Sequence, residues 1–113
     1  MAQEIWKMEE RLWLEGGPAF AALLHRDCLM AFAPTGLIQG EAIRKGLDDF
    51  PRWSSALMTG RVMTRPAGPV RVLGYRVRAQ RDGDEPYVAL CSSTWLETPR
   101  GWRLVQHQHS ALD

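Results

Sequence analysis

Cysteine is scarce: Cys28 and Cys91 are the only two in 113 residues. That excludes the disulfide framework on which small secreted folds depend, and both are expected as reduced, at least partly buried thiols. No apolar run approaches the roughly 20 residues of a bilayer span. The opening Met1-Ala2-Gln3-Glu4-Ile5-Trp6-Lys7 has no basic-then-apolar layout of a secretory leader. An excess of one charge is missing too. The 14 Lys and Arg against 13 Asp and Glu leave a formal net charge of +1, which argues against a nucleic-acid or polybasic membrane binder. Cys-x-x-Cys and His-Glu-x-x-His spacings are absent. Only His107 and His109, which would share one face of a strand, are spaced like ligands, and zinc needs three or four. No metal and no cofactor is expected. The expectation is a cytoplasmic globular protein in which residues 1–113 form one domain, large enough to bury roughly 60–70% of its unfolded surface.

Tryptophan, by contrast, occurs five times. Residues 3–15 read as a helix, with Ile5, Met8 and Leu12 at i, i+3 and i+7 and Trp6 and Trp13 widening the stripe. Glu9, Glu10 and Arg11 are expected mostly on the opposite side. Gly16-Gly17 ends this helix, and Pro18 suits the first turn of a second. His25 and Arg26 then fall where cations favour a helix C-terminus. Asp27 to Phe32 reads as a strand with Cys28, Met30 and Phe32 on one face. After the turn Ala33-Pro34-Thr35-Gly36, residues 37–40 form a short extended piece. Glu41 to Phe50 returns to helical period, stopped by Pro51.

Beyond Trp53 the pattern is sheet. Strands are expected over 56–65, ended by Pro66-Ala67-Gly68-Pro69, and over 70–81, 87–97 and 102–109. Arg81-Asp82-Gly83-Asp84 and Thr98-Pro99-Arg100-Gly101 are the turns, Asp-Gly supplying the positive φ of a tight hairpin. Helices early and strands late give an α+β fold, and tight hairpins give an antiparallel meander. Long strands must coil, so the sheet should curl into a cone whose hollow side is a pocket. Tyr87, Ala89, Cys91 and Trp95 alternate with Val88, Leu90 and Leu96. A sheet apolar on both faces leaves one for a partner, and a homodimer through the sheet is expected.

The helix pair, then Cys28-Leu29-Met30-Ala31-Phe32 running into Gly36-Leu37-Ile38-Gln39-Gly40-Glu41-Ala42-Ile43, resembles the nuclear transport factor two-like superfamily. The closing Gly101-Trp102-Arg103-Leu104-Val105-Gln106-His107-Gln108-His109-Ser110 is similar to the last strand of its small bacterial members, classed with ketosteroid isomerase-like and polyketide cyclase-like folds. The resemblance implies a cone-shaped α+β barrel, with N-terminal helices packed on a strongly curved antiparallel sheet, and commonly a homodimer. It implies no particular activity, since such a fold hosts many.

Enzymes of that superfamily typically place a carboxylate base on an inner strand. Here Glu97, at a strand end, is the only acidic residue in the late strands, which argues against steroid-type isomerisation. The proton-handling candidates are His107, Tyr75 and Asp27, with His25 as a further one; a histidine oriented by an aspartate, with a tyrosine donor, would suit a dehydratase or cyclase. His107 also faces the run Cys91-Ser92-Ser93-Thr94 across the last hairpin. Pairing at a constant sum of about 199 sets Ser92 opposite His107, and a slip of one residue sets Cys91 or Ser93 there. The expected pocket draws on Trp13, Met30, Phe32, Trp53, Tyr75, Cys91, Ser93, Trp95 and His107, while Trp102 joins the tryptophans that could close the cone. Three functions fit: a domain holding an apolar or amphipathic ligand; a His-dependent dehydratase, cyclase or hydrolase acting on an aromatic or polycyclic metabolite; and a homodimeric interaction module without ligand.

Overall fold

A computed structural model describes residues 2–112. Met1 and Asp113, the ends of the expected 1–113 domain, lie outside the described residues. Helix α1 spans Ala2–Glu15 and α2 spans Gly17–Leu23. Gly16 joins them at φ +64°, and a Cβ there would lie 3.0 Å from the Pro51 carbonyl oxygen, so this tight approach to the 50–51 segment requires glycine. Strands β1 (Leu24–Phe32) and β2 (Gly36–Gln39) follow, then α3 (Glu41–Lys45) and a 3-10 turn over Leu47–Asp49. The remaining strands are β3 (Ser55–Ala67), β4 (Val70–Gln80), β5 (Tyr87–Thr98) and β6 (Gly101–Ala111).

Four expectations are corrected. The helix expected over 41–50 breaks at Gly46, whose N–H closes onto the Ala42 and Ile43 carbonyls; glycine favours such a stop. The strand expected to end before Pro66 continues to Ala67. It is tolerated because β3 is an edge of the sheet, where a missing N–H breaks no ladder. His25 and Arg26 belong to β1 rather than to a helix end. The sheet is also mixed rather than wholly antiparallel: its order is β2-β1-β6-β5-β4-β3, and β1 runs parallel to β6.

Curvature comes from interruptions in the ladders. Gly60, at φ +61°, lies within the register shift between Thr59 and Val62. A second shift separates Thr94 from Trp95 on the β5–β6 pair. Such bulges bend and twist the sheet. Its inner face buries Leu73, Tyr75 and Val77 of β4, Cys91, Ser93 and Trp95 of β5, and Leu104 and His107 of β6. Against it lie Ile5, Leu12 and Trp13 of α1, Phe20 of α2 and Ile43 of α3. Arg76, Arg78 and Leu90 lie on the exposed outer face. Among the described residues no helix is long and apolar enough to cross a membrane.

Candidate functional site

The second bulge decides the site. From the turn, Thr98 pairs with Gly101 and Trp95 with Leu104, a constant sum of 199. Beyond Val105 the sum becomes 200: Thr94 pairs with Gln106 and Ser93 with His107. One extra residue on β6 thus turns both Leu104 and His107 inward, although three positions separate them, and His109 follows on the same face. Of the slips open to the sequence, the Ser93 register is the one adopted.

Glu9 meets this pair from α1. It is fully buried, which overturns the expectation that it lies on the solvent side. Its carboxylate accepts Tyr75 Oη–H at 2.5 Å and Ser93 Oγ–H at 2.6 Å on Oε2, and Trp95 Nε1–H at 2.9 Å on Oε1. Ser93 Oγ lies 2.7 Å from His107 Nδ1, and that nitrogen is 3.5 Å from Glu9 Oε2. Trp13 Nε1 donates to Tyr75 Oη at 2.9 Å. A continuous polar chain therefore runs through the core: Trp13, Tyr75, Glu9, Ser93, His107. The signal for Glu9 was present in the spacing, because Ile5, Glu9, Leu12 and Trp13 lie at i, i+4, i+7 and i+8 of one stripe; charge alone argued otherwise.

Burial raises the proton affinity of Glu9, with the three donors acting against it, and lowers that of His107 to about 4. Both shifts disfavour charge in a low-dielectric interior. The hydrogen bonds permit two proton arrangements. With Glu9 ionised, Ser93 donates to Glu9 and accepts from His107 Nδ1–H, which leaves Nε2 with a free lone pair. With Glu9 protonated, the bonds reverse, Ser93 donates to Nδ1, and Nε2 carries the hydrogen. The group thus takes up one proton at Nε2 without creating a buried imidazolium, because the charge removed is that of Glu9.

His107 lines a cavity of about 670 Å3. Among the described residues its Nε2 has no protein partner, and among them Arg81 Nε is the only unpartnered polar side-chain atom sealed from solvent, so His107 Nε2 opens into the hollow. The walls are chiefly apolar, from Leu12, Trp13, Phe20, Phe32, Ile43 and Phe50. His109 lies beside His107, ring centroids 5.7 Å apart. Its Nδ1 is 2.5 Å from the Tyr87 hydroxyl, and burial and then the neighbouring His107 lower its proton affinity to about 4.

Of the residues expected at the pocket, Trp13, Phe32, Trp53 and His107 line it. Met30, Tyr75, Cys91, Ser93 and Trp95 are buried in the core instead. Asp27 is corrected as a catalytic candidate: its side chain is 79% exposed and its nearest cation is Arg26 at 3.9 Å. It sits on β1 out of phase with Cys28 and Met30, so the pleat turns it away. His25 Nδ1 is engaged by the Asp27 N–H. Burial pushes both thiols, Cys28 and Cys91, up to about 12, so neither is a ready nucleophile. Trp102 lies under Arg71, whose guanidinium carbon is 5.1 Å from its ring. Among the described residues no group of three potential metal ligands occurs.

An α+β cone with helices over a coiled sheet and a hollow at its mouth is the nuclear transport factor two-like fold, and the chain has that fold. Solved structures agree. A protein provisionally assigned as a ketosteroid isomerase, from Parabacteroides distasonis, is 21% identical with TM-score 0.84, covering 96% of this chain and 86% of that one. An NTF2-like protein from Cytophaga hutchinsonii is 11% identical with TM-score 0.78, covering 99% and 98%. A hexachlorocyclohexane dehydrochlorinase from Novosphingobium barchaimii is 12% identical with TM-score 0.72, covering 99% and 84%. No family model and no curated protein matches the sequence.

Proposed function

We propose that residues 1–113 form one domain that binds a small, largely apolar molecule in the cone and exchanges a proton with it through His107. The observation that carries this reading is the polarity of the hollow: an apolar wall interrupted on its floor by an imidazole whose inner nitrogen is wired through Ser93 to Glu9. A general base works best when its proton affinity approaches the working pH. The wiring provides for this, because the proton taken up at Nε2 neutralises Glu9. When a ligand C–H bond next to a carbonyl breaks, its proton goes to Nε2. The Nδ1 proton passes to Ser93 Oγ, the Ser93 proton passes to Glu9 Oε2, and the electron pair stays on the ligand as an enolate. With Tyr87 donating to Nδ1 of His109, the hydrogen on His109 Nε2 faces the same space and can donate to the enolate oxygen. Isomerisation and elimination both begin with this step.

The test is exchange of α-protons for deuterium in a panel of cyclic and aromatic ketones, followed by NMR. Exchange should be accelerated by the protein and fall about 100-fold or more in His107→Gln. Equal exchange in the two proteins would remove His107 from the chemistry. Ligands that raise the melting temperature without exchange would leave binding alone, since stabilisation reports binding to the native state.

The outer face supports association with a second copy. Leu57, Leu90 and Leu29 are 61%, 50% and 41% exposed there, beside the pairs Ser92–Gln108 and Thr94–Gln106. Sedimentation at micromolar concentration should show a dimer, and Leu90→Arg should shift it to monomer; a monomeric parent protein would refute the association.

A further inference from the structure

We infer that the ligand of this cone is an organic anion, an aromatic or alicyclic carboxylic acid whose carboxylate is held at the mouth by Arg81. The inference rests on the reading of the cone as a binding site and names its substrate class. Arg81 lines the cavity directly after β4. Its carbonyl is fixed by Asp84 N–H at 3.2 Å and by Gln80 Nε2 at 3.2 Å. Its guanidinium carbon stands 4.2 Å from the centre of the Trp53 ring, a cation–π contact that holds the group flat against the wall.

Among the described residues nothing completes this arginine. Its Nε is sealed from solvent without an acceptor. It forms no ion pair among the described residues, whose ion pairs are Arg11–Glu15, Arg26–Asp27 and Glu9–His107. The acidic neighbours Asp82, Asp84 and Glu85 are exposed, as is Asp49 on the rim, so their charges act through water. The sealed Nε is closed to a ligand; the two terminal nitrogens, which have no hydrogen-bond partner among the described residues, present the fork, and a carboxylate fits it in bidentate geometry.

The wall from Arg81 to the floor is one aromatic stack. Trp53 lies on Tyr87 with centroids 5.6 Å apart and planes at 23°, and Tyr87 meets His109 through its hydroxyl. A ligand anchored at Arg81 would lay a flat apolar body along this stack and bring its far end to His107. The mouth thus selects charge and the wall selects shape.

Calorimetric titration of the full chain with naphthaleneacetate, naphthaleneacetamide and naphthylethylammonium tests this, since the three share a body and differ in charge. The acid should bind at least 10-fold tighter than the amide, and the ammonium should bind weakest. The preference should shrink as salt is raised. Arg81→Gln should bring acid and amide within about two-fold of each other, with the greater loss falling on the acid. Arg81→Lys should recover only part of the preference, because an ammonium cannot offer the fork. Equal binding of acid and amide by the parent protein would overturn the anion assignment and leave the binding site standing. If none of the three binds, the anion assignment and the binding reading fall together.

Discussion

Glu9→Ala should cost about 3–5 kcal/mol of folding stability, the largest effect of any single side chain outside the apolar core. The substitution removes the shared acceptor of three buried donors, Tyr75 Oη–H, Ser93 Oγ–H and Trp95 Nε1–H. Each buried donor left without a partner costs about 1–3 kcal/mol, and the site is too tightly enclosed for water to replace all three. Glu9→Gln should behave differently. Its amide oxygen can keep the Trp95 bond, and its nitrogen can donate to Tyr75 and Ser93 oxygens. Tyr75 can then turn to Cys91 and Ser93 to His107 Nδ1. This reproduces the protonated arrangement, so the loss should stay below about 1.5 kcal/mol. It also locks the hydrogen on His107 Nε2 and abolishes the lone pair that faces the cavity. Denaturant unfolding measures the first effect, and histidine nitrogen shifts in NMR measure the second. A Glu9→Ala protein as stable as the parent, or a Glu9→Gln protein with His107 still protonated at Nδ1, would contradict the polar chain.

Acidification should weaken the fold between pH 6.5 and 4, chiefly through His109. Its proton affinity falls from 6.5 to about 4 on folding. The unfolded chain therefore takes up a proton below pH 6.5, whereas the native state does not until about 4. Stability present at neutral pH is lost across that window, by about 2 kcal/mol after allowance for the partial exposure of the ring. His107 is shifted in the same direction, but Glu9 opposes it. A carboxyl raised by burial holds its proton where the unfolded chain has released it, and so favours the native state as pH falls. The two act in opposite directions on the pH profile, and they share one proton through Ser93. His109→Phe should therefore flatten the profile, with the melting temperature at pH 4.5 rising by about 8 °C relative to the parent. An unchanged slope in this variant would place the acid sensitivity elsewhere.

Pattern alone was sufficient for most of the elements. Apolar spacing marked α1 and both faces of β4 and β5, and Asp82-Gly83 and Pro99 marked the hairpins, because backbone preference and burial are local properties. The hollow followed from strand length. What escaped is instructive. Charge places Glu9 on the solvent side, since a carboxylate is rarely buried, and only the convergence of three donors from β4 and β5 makes its burial tolerable. Chemical type makes Asp27 a candidate, yet strand phase points it outward.

The residue order, then, settles the helices, the strands, the turns and the apolar stripe, for each depends on neighbours a few positions away. The tertiary structure alone settles which side chains meet. A single bulge at Val105 moves the pairing sum from 199 to 200 and turns His107 inward to Ser93. Neither the bulge nor the carboxylate waiting on α1 is encoded within either strand by itself, because register is an agreement between distant segments and not a property of one.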